Sequence, residues 1–136
     1  MNIKQFEIFE NKKLSETSEL TWNVLKYGFC SYFALAYAEL NNANSFLLVQ
    51  EYDEDLENFY LVHFYAIENE GLVDAYGVYD NWRSGVNEIV DIEYMELRTK
   101  VVTKTDVVKT IEHDMGFDEN LYNEILTFVK NNYKFQ

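Results

Sequence analysis

The sequence has few of the residues that cross-link, bend or loosen a chain: one cysteine, no proline and five glycines among 136 residues. A single cysteine excludes an intramolecular disulfide framework. The longest apolar run, residues 33–38, is far shorter than a bilayer-spanning helix. Residues 1–13 are rich in charge and lack the apolar segment of a signal peptide. We therefore expect a cytoplasmic protein without a membrane span.

Basic residues are also scarce, since 11 lysines and arginines face 24 acidic residues and leave a formal net charge of -13. Such a field repels nucleic acids and anionic membranes, so we expect no direct binding to either. A basic protein partner, such as the nucleic-acid-binding groove of another protein, would fit this charge. The alternative is that the charge only keeps a chain with 17% aromatic residues in solution.

Length and hydrophobic content predict one domain over residues 1–136, because 48% of the residues are hydrophobic and the chain is long enough to bury a core. Runs rich in β-branched and aromatic residues predict strands, with acidic stretches as the turns between the first three. Gly71 is expected to take a positive φ in the second of these turns. The predicted strands are residues 45–52, 58–67, 72–79 and 86–97, which residues 99–103 extend or follow.

Helices are predicted on both sides of the strands, from patterns that begin at capping residues and end at Asn or Gly. The order of the elements predicts an α+β fold in which helices flank a central antiparallel sheet. The predicted helices are an irregular region over residues 3–26 with Ser18 as an internal cap, residues 29–40 ended by Asn41 and Asn42, a segment from Thr103 or Thr105 to Gly116, and a segment capped by Asp118.

The only cysteine, Cys30, lies at the start of the helix predicted over residues 29–40. A cysteine in the first turn of a helix feels the positive end of the helix dipole, which favours the reactive thiolate. Gly28, just before it, lets the chain turn tightly and leaves room for a substrate carbonyl group. The alternative is a structural cysteine packed among the aromatic residues around it, because free cysteines are often buried.

His63 and Asp74, in the second and third predicted strands, are the residues that would activate such a thiolate. With Asn69 and Glu70 as a two-residue turn, Asp74 is the diagonal neighbour of His63 on one face, roughly 7–8 Å away. A four-residue loop would place the two directly opposite each other. A three-residue loop would put Asp74 on the other face unless a bulge restored the alternation. The alternative roles are a hydrogen-bonded strand histidine and a strand-end carboxylate.

The segments GFCSYFALAYAEL (residues 28–40) and LVHFYAIENEGLVDAYG (residues 61–77) resemble the papain-like and transglutaminase-like cysteine hydrolase superfamily. The shared outline is a Cys that opens a helix and is followed by Phe and Ala, then a strand His, then an Asp before a Gly. By this resemblance Cys30 is the nucleophile, His63 the general base and Asp74 the orienting residue. The resemblance implies a papain-like core, in which the Cys-bearing helix packs on an antiparallel sheet.

The sequence departs from the family pattern just before the cysteine. Many papain-type enzymes carry a glutamine there that helps to bind the oxyanion, whereas residues 25–29 are LKYGF. Gln50 and the backbone N–H of Cys30 are the candidate donors instead. Trp82, in the loop over residues 79–85, is a candidate wall of a substrate-binding cleft, although a loop Trp also commonly packs on the core.

The other histidine and the acidic stretches do not predict a metal or cofactor site. His113 lies near a predicted helix C-terminus, where a protonated imidazole interacts with the last carbonyl groups. The stretch EYDEDLE lacks the glycine of a calcium loop, and one Cys with two distant His residues does not make a zinc site. No Gly-rich phosphate loop occurs. We therefore expect no metal and no cofactor.

These patterns support two hypotheses of different kinds. The first is a papain-like cysteine hydrolase or acyl-transfer domain that acts on an amide or thioester of a protein or peptide-like substrate. The second is a small acidic interaction protein that blocks a basic, nucleic-acid-handling partner, of which a phage-encoded inhibitor of a bacterial defence complex is one example. A third possibility combines them, with the fold retained and its chemistry lost.

Overall fold

The computed structural model describes residue 25, residues 28–82 and residues 96–132, and these ranges form an α+β fold. Its elements are the helices α1 (Cys30–Asn41), α2 (Lys104–Asp114) and α3 (Glu119–Asn132), and the strands β1 (Ser45–Asp53), β2 (Asn58–Glu68), β3 (Gly71–Asp74), β4 (Gly77–Tyr79) and β5 (Leu97–Thr103). The five strands form one antiparallel sheet in the order β4-β3-β2-β1-β5, as the α+β prediction requires.

Most of the predicted elements in these ranges are confirmed, with bounds that shift by a few residues. Two predictions fall mainly on other parts of the chain. The helical region over residues 3–26, with its Ser18 cap, lies outside the described residues apart from Leu25. The strand over residues 86–97 lies outside them apart from its last two positions.

The first helix, α1, is the central one, and its composition explains both its helicity and its burial. Ala and Leu favour a helix, and every residue from Ser31 to Ala38 is buried. A helix that is buried on all sides lies inside a core and not on a surface. It ends at Asn41 because Asn42 takes the left-handed conformation (φ 57°) and its N–H bonds the carbonyl of Ala38.

The β1–β2 connection is the solvated acidic turn that the sequence predicts. The carboxylate of Asp53 accepts hydrogen bonds from the backbone N–H groups of Asp55 and Leu56, at 2.9 and 3.2 Å. This is an Asx-type turn, which Asp favours because its side chain mimics a backbone carbonyl. Glu57 completes the turn with a φ of 51°, and residues 54–57 are all exposed.

Residues 72–79 form two strands, so the prediction of a single strand over this range is wrong. The carboxylate of Asp74 accepts a hydrogen bond from the N–H of Tyr76 (2.8 Å), which closes a turn between β3 and β4. Gly77 then takes a φ of 149°, which residues with a side chain rarely adopt. A polar residue inside an apolar run therefore folds this segment into a hairpin.

The β2–β3 connection has the two-residue form, because Glu68 pairs with Gly71. Asn69, and not Gly71 as predicted, takes the positive φ (58°) in this turn. Gly71 is needed for a different reason: a Cβ there would lie 2.6 Å from the backbone oxygen of Tyr79. The absence of a side chain at Gly71 therefore lets β4 lie close to the start of β3.

Capping residues set the starts of α2 and α3, as predicted. The side chain of Thr103 accepts a hydrogen bond from the N–H of Asp106, and the Asp106 carboxylate accepts one from the N–H of Thr103. This reciprocal pair is a capping box. Asp118 accepts a hydrogen bond from the N–H of Leu121 (3.0 Å) at the start of α3. Gly116 follows α2 with a φ of 76°.

Both faces of the sheet are buried, and the described helices pack on one of them. Phe46 and Phe64 belong to the face that packs against α1, α2 and α3. Leu47 and Tyr65 belong to a second buried cluster on the opposite face. Because side chains alternate along a strand, His63 belongs to the face of Tyr65. Among the described helices, none is both long enough and apolar enough to cross a bilayer.

We predict that Gly71→Ala lowers the free energy of unfolding by about 1–3 kcal/mol, because β4 must move away from the added methyl group. Chemical denaturation of the wild type and the variant measures this difference. Glu70→Ala, at the exposed neighbouring position of the turn, is the control and should change stability by less than about 0.5 kcal/mol. A Gly71→Ala effect as small as that of the control would contradict the prediction.

Candidate functional site

Three side chains that are distant in the sequence meet at the start of α1. Cys30 is the first residue of α1, His63 lies in β2 and Asp74 is the last residue of β3. The side chains of Cys30 and His63 are hydrogen-bonded. Nε2 of His63 lies 3.4 Å from Oδ2 of Asp74, which leaves Nδ1 as the nitrogen for the thiol. The contacts therefore run from thiol to imidazole to carboxylate.

The hairpin register explains why the histidine and the aspartate share one face of the sheet. Ala66 pairs with Val73, so the next position along the hairpin puts Asp74 opposite Tyr65. Residues two positions apart in a strand point to the same side, and Asp74 is therefore the diagonal neighbour of His63. Of the turn lengths compatible with the sequence, the two-residue turn is the one that occurs.

The start of α1 reaches His63 because β3 is short. The pairing of β3 with β2 covers only residues 66–68 of β2. The sulfur of Cys30 accepts a hydrogen bond from the backbone N–H of Phe64, beyond the end of that pairing. The first turn of α1 thus lies beside the edge of β2, where its side chain reaches an imidazole on the other face of the sheet. A longer β3 would compete with the helix for this edge.

A β-bulge lies next to the histidine. Val49 of β1 pairs with His63, but the following residue, Gln50, pairs with Leu61, so Val62 is the extra residue of β2. A bulge bends a strand and changes the direction of the side chains beside it, and bulges are common next to active sites. His63 therefore lies at a break in the β1–β2 ladder, with the bulge on one side and the cysteine on the other.

Burial distinguishes the cysteine from its two partners. His63 and Asp74 are each 1% exposed, whereas Cys30 is partly exposed. The ring of Tyr65 packs edge-to-face on the imidazole, with the ring centroids 4.6 Å apart. Cys30 is therefore the member of the set whose residue lies nearest to solvent. Its partners are shielded from water, where electrostatic interactions are stronger than in solvent.

The thiol and the imidazole change each other's pKa in opposite directions. Burial raises the pKa of Cys30, but the charge of His63, its hydrogen bond and the backbone N–H groups of Phe64 and Ser31 together lower the pKa below the ordinary 9.0. Burial lowers the pKa of His63, but the nearby Cys30 thiolate and Asp74 raise the pKa to about 9. Each group therefore favours the charged form of the other, which is the direction that leads to a thiolate–imidazolium pair.

The β3–β4 hairpin holds the aspartate from its other side. Oδ1 of Asp74 accepts a hydrogen bond from the N–H of Tyr76 at 2.8 Å, and the hydroxyl of Tyr79 lies 3.3 and 3.4 Å from the two carboxylate oxygens. Tyr79 is not among the site residues that the sequence predicts. In a continuous strand over residues 72–79, Asp74 and Tyr79 would point to opposite faces, so the single-strand prediction concealed this contact.

The remaining residues that the sequence predicts for the site are not part of the series of contacts from Cys30 to Asp74. Oε1 of Gln50 accepts a hydrogen bond from Nε of Arg98 (2.7 Å), and Gln50 lines a cavity of about 700 Å³ together with His113. Gly28 lies in an exposed turn just before the cysteine, and Trp82 is 38% exposed. The roles of Gln50, Gly28 and Trp82 in binding the oxyanion or the substrate stay predictions.

No metal-binding group is found in the part of the chain that the structure describes. There, no cluster of three or more His, Cys, Asp or Glu side chains could hold a metal ion. His113 is exposed in the last turn of α2, the position near a helix C-terminus that the sequence predicts for it.

Comparisons with known proteins do not place this chain in a family. No family model matches it, and neither a curated protein nor a solved structure matches it. The chemistry of the site must therefore be argued from the residues of this chain alone.

We predict that Cys30 reacts with iodoacetamide along a pH profile whose midpoint lies below 9.0, because His63 stabilises the thiolate. In His63→Gln the stabilising charge is lost while the thiol stays buried, so the midpoint of the alkylation profile rises. Once the midpoint lies above neutral pH, each further rise of one pH unit makes alkylation at neutral pH about tenfold slower. Because the chain has one cysteine, the extent of labelling by mass spectrometry reports this thiol only.

His113→Gln is the matched control for this experiment, since it removes the other histidine at an exposed position. Its pH profile should equal that of the wild type. A wild-type midpoint at or above 9.0, or one that His63→Gln leaves unchanged, would contradict the ion pair.

Proposed function

We propose that this chain is a papain-like cysteine hydrolase or acyl-transfer domain that acts on an amide or thioester. Cys30 is the nucleophile, His63 the general base and acid, and Asp74 the residue that orients the imidazole. The observation that carries the proposal is the series of contacts from the thiol of Cys30, a partly exposed residue, through the buried imidazole to the buried carboxylate. A cysteine that only fills a core needs neither partner, and such strongly shifted groups cluster at functional sites.

In the first half-reaction the Cys30 thiolate attacks the carbonyl carbon of the substrate. A carbon–sulfur bond forms, and the π electrons of the carbonyl group move onto its oxygen to give a tetrahedral oxyanion. The intermediate then expels the leaving group, which takes the proton from the His63 imidazolium and departs as an amine or a thiol. The chain is left as a thioester at Cys30 with a neutral His63.

In the second half-reaction water or another nucleophile attacks the thioester carbonyl while the neutral His63 accepts its proton. The second tetrahedral intermediate expels the Cys30 thiolate, and the acid or the transferred acyl product leaves. The thiolate and the imidazolium are then restored, so the cycle ends with the pair of charges with which it begins. Water as the nucleophile gives hydrolysis, and an amine or thiol gives acyl transfer.

The oxyanion needs hydrogen-bond donors near the sulfur, and the start of α1 offers the backbone N–H of Cys30. The N–H groups of a first helical turn lack intrahelical acceptors and lie at the positive end of the dipole. The second donor that the sequence predicts, the amide NH₂ group of Gln50, stays a prediction, because this side chain accepts a hydrogen bond from Arg98 and lines the cavity with His113. Asp74, at Nε2 of His63, keeps Nδ1 directed toward the sulfur.

An acidic interaction protein is the second candidate function, and the exposed β1–β2 turn favours it. This turn carries acidic side chains on both sides of Leu56, which is 70% exposed. A basic partner would meet negative charge and an apolar contact in one place, and salt would weaken the complex by screening. In this function Cys30 has no chemical role, so Cys30→Ala would retain partner binding.

We predict that p-nitrophenyl acetate acetylates Cys30 and that the wild type turns this ester over, because the thiolate attacks the ester and His63 then activates water. Release of p-nitrophenolate is followed by absorbance, and mass spectrometry locates the acetyl group. Cys30→Ser keeps the side-chain shape and should show only background release. His63→Gln should slow turnover by about 10²–10⁴-fold, the usual contribution of a general base.

His113→Gln should turn the ester over like the wild type, which makes it the control for the loss of a histidine. Equal release by the wild type and Cys30→Ser would contradict the nucleophile. Acetyl-Cys30 that reacts with water or hydroxylamine no faster in the folded chain than in the unfolded chain would contradict acyl transfer.

A further inference from the structure

We propose that Tyr79 is a positioning residue of this site: its hydroxyl bridges the two oxygens of Asp74 and fixes the plane in which the carboxylate faces His63. The consequence for catalysis rests on the proposed function, whereas the geometric claim does not. Tyr79 acts through Asp74 and has no role in bond making.

The contacts of Asp74 show which motion each donor restrains. The N–H of Tyr76 holds Oδ1 at 2.8 Å, which anchors one oxygen. The hydroxyl of Tyr79 lies 3.3 Å from Oδ1 and 3.4 Å from Oδ2, nearly midway between them. Rotation about the Cβ–Cγ bond moves both oxygens together, so both donors restrain this otherwise broad torsion. Of these two donors, Tyr79 is the one that also reaches Oδ2, the oxygen that faces His63.

The contact between Asp74 and His63 is loose enough for this restraint to matter. Nε2 of His63 is buried, and at 3.4 Å from Oδ2 it makes no hydrogen bond of ordinary geometry within the described residues. His63 is 1% exposed, so water does not replace a partner that is lost. A small rotation of the carboxylate therefore decides whether the imidazole N–H is satisfied.

Tyr79 is itself held by rings and by a strand ladder. Its ring packs edge-to-face on Tyr65, with centroids 6.1 Å apart and planes at 86°. Tyr65 packs in the same way on the ring of His63, at 4.6 Å and 73°. Tyr79 pairs with Leu72 of β3, and Gly71 leaves room for its backbone. The hydroxyl is thus supported by the core of the sheet and not by a mobile loop.

Within the described residues, titratable groups approach the imidazole from α1, β2, β3 and the β3–β4 hairpin. They are Cys30 of α1, Tyr65 of β2 and Asp74 of β3 at His63, followed by Tyr76 and Tyr79 of the β3–β4 hairpin at Asp74. The thiol contacts the imidazole directly, and it is the group in this set whose alkylation is measured. Its pH profile therefore reports a disturbance of the carboxylate behind the imidazole.

Tyr79→Phe in the full chain tests the proposal, because it removes the hydroxyl and keeps the ring against Tyr65. We expect the midpoint of iodoacetamide alkylation to rise and the rate at neutral pH to fall about three- to tenfold, since the carboxylate no longer faces the imidazolium. Asp74→Asn removes the carboxylate charge altogether, so its shift of the alkylation midpoint sets the upper limit for the shift in Tyr79→Phe. In the Asp74→Asn background, Tyr79→Phe should add nothing.

Tyr60→Phe is the matched control. The hydroxyl of Tyr60 also donates to a carboxylate, that of Glu51 at 2.6 Å, but at an exposed position beyond the bulge. Its profile should equal that of the wild type. A midpoint in Tyr79→Phe that equals that of the wild type would overturn the proposal. A Tyr79→Phe shift of the same size in the wild-type and Asp74→Asn backgrounds would overturn it too. Loss of cooperative unfolding in Tyr79→Phe would also overturn it, because the hydroxyl would then be a requirement of the fold.

The outcomes separate this proposal from the proposed function. A wild-type thiol that titrates like free cysteine overturns both. A low wild-type midpoint that Tyr79→Phe does not change overturns only the role of Tyr79. A midpoint that Tyr79→Phe raises, in a chain that does not turn over p-nitrophenyl acetate, supports the role of Tyr79 and overturns only the hydrolase.

Discussion

The contact between the Cys30 thiol and the His63 imidazole is the interaction on which the rest of the site depends. Alone in a buried position, each group would be neutral, because burial raises the pKa of a thiol and lowers the pKa of an imidazole. Together each shifts the pKa of the other toward an ion pair, and Asp74 and the backbone N–H groups at the sulfur act in the same direction. The charges are coupled, so removal of any member changes the protonation of the others.

The fold meets this constraint with a few local features. The cysteine belongs to a helix that packs on one face of the sheet. The side chain of the histidine, in β2, lies on the opposite face. The two side chains meet because β3 ends at Asp74 and leaves the edge of β2 open to the helix. Asp74 also closes the turn into β4, and its carboxylate faces the imidazole. A buried ion pair stabilises a fold little compared with apolar residues of the same volume. Such a pair at this position is therefore not explained by stability, which agrees with the proposed function.

Local sequence patterns were sufficient to predict most elements and to select the three residues that meet at the start of α1. Asn42 ends α1 and Asp118 caps α3 because short polar side chains replace backbone partners, a rule that needs no tertiary contact. The bulge at Val62 and the turn after Asp74 depend on interactions across the sheet, which strand periodicity does not reveal. The contact of Tyr79 with Asp74 could not be predicted for the same reason, because residues 72–79 form a hairpin and not one strand with regular alternation.

The protonation state of His63 tests the central claim most directly, and NMR of the imidazole nitrogens measures it. The chain has two histidines, so substitution of the other one assigns the signals. The ion pair predicts an imidazolium at neutral pH that loses its proton only near pH 9, and a lower pKa for His63 once Cys30 is replaced by Ala. A His63 ring that is neutral at neutral pH, or that titrates identically with and without the thiol, would contradict the account.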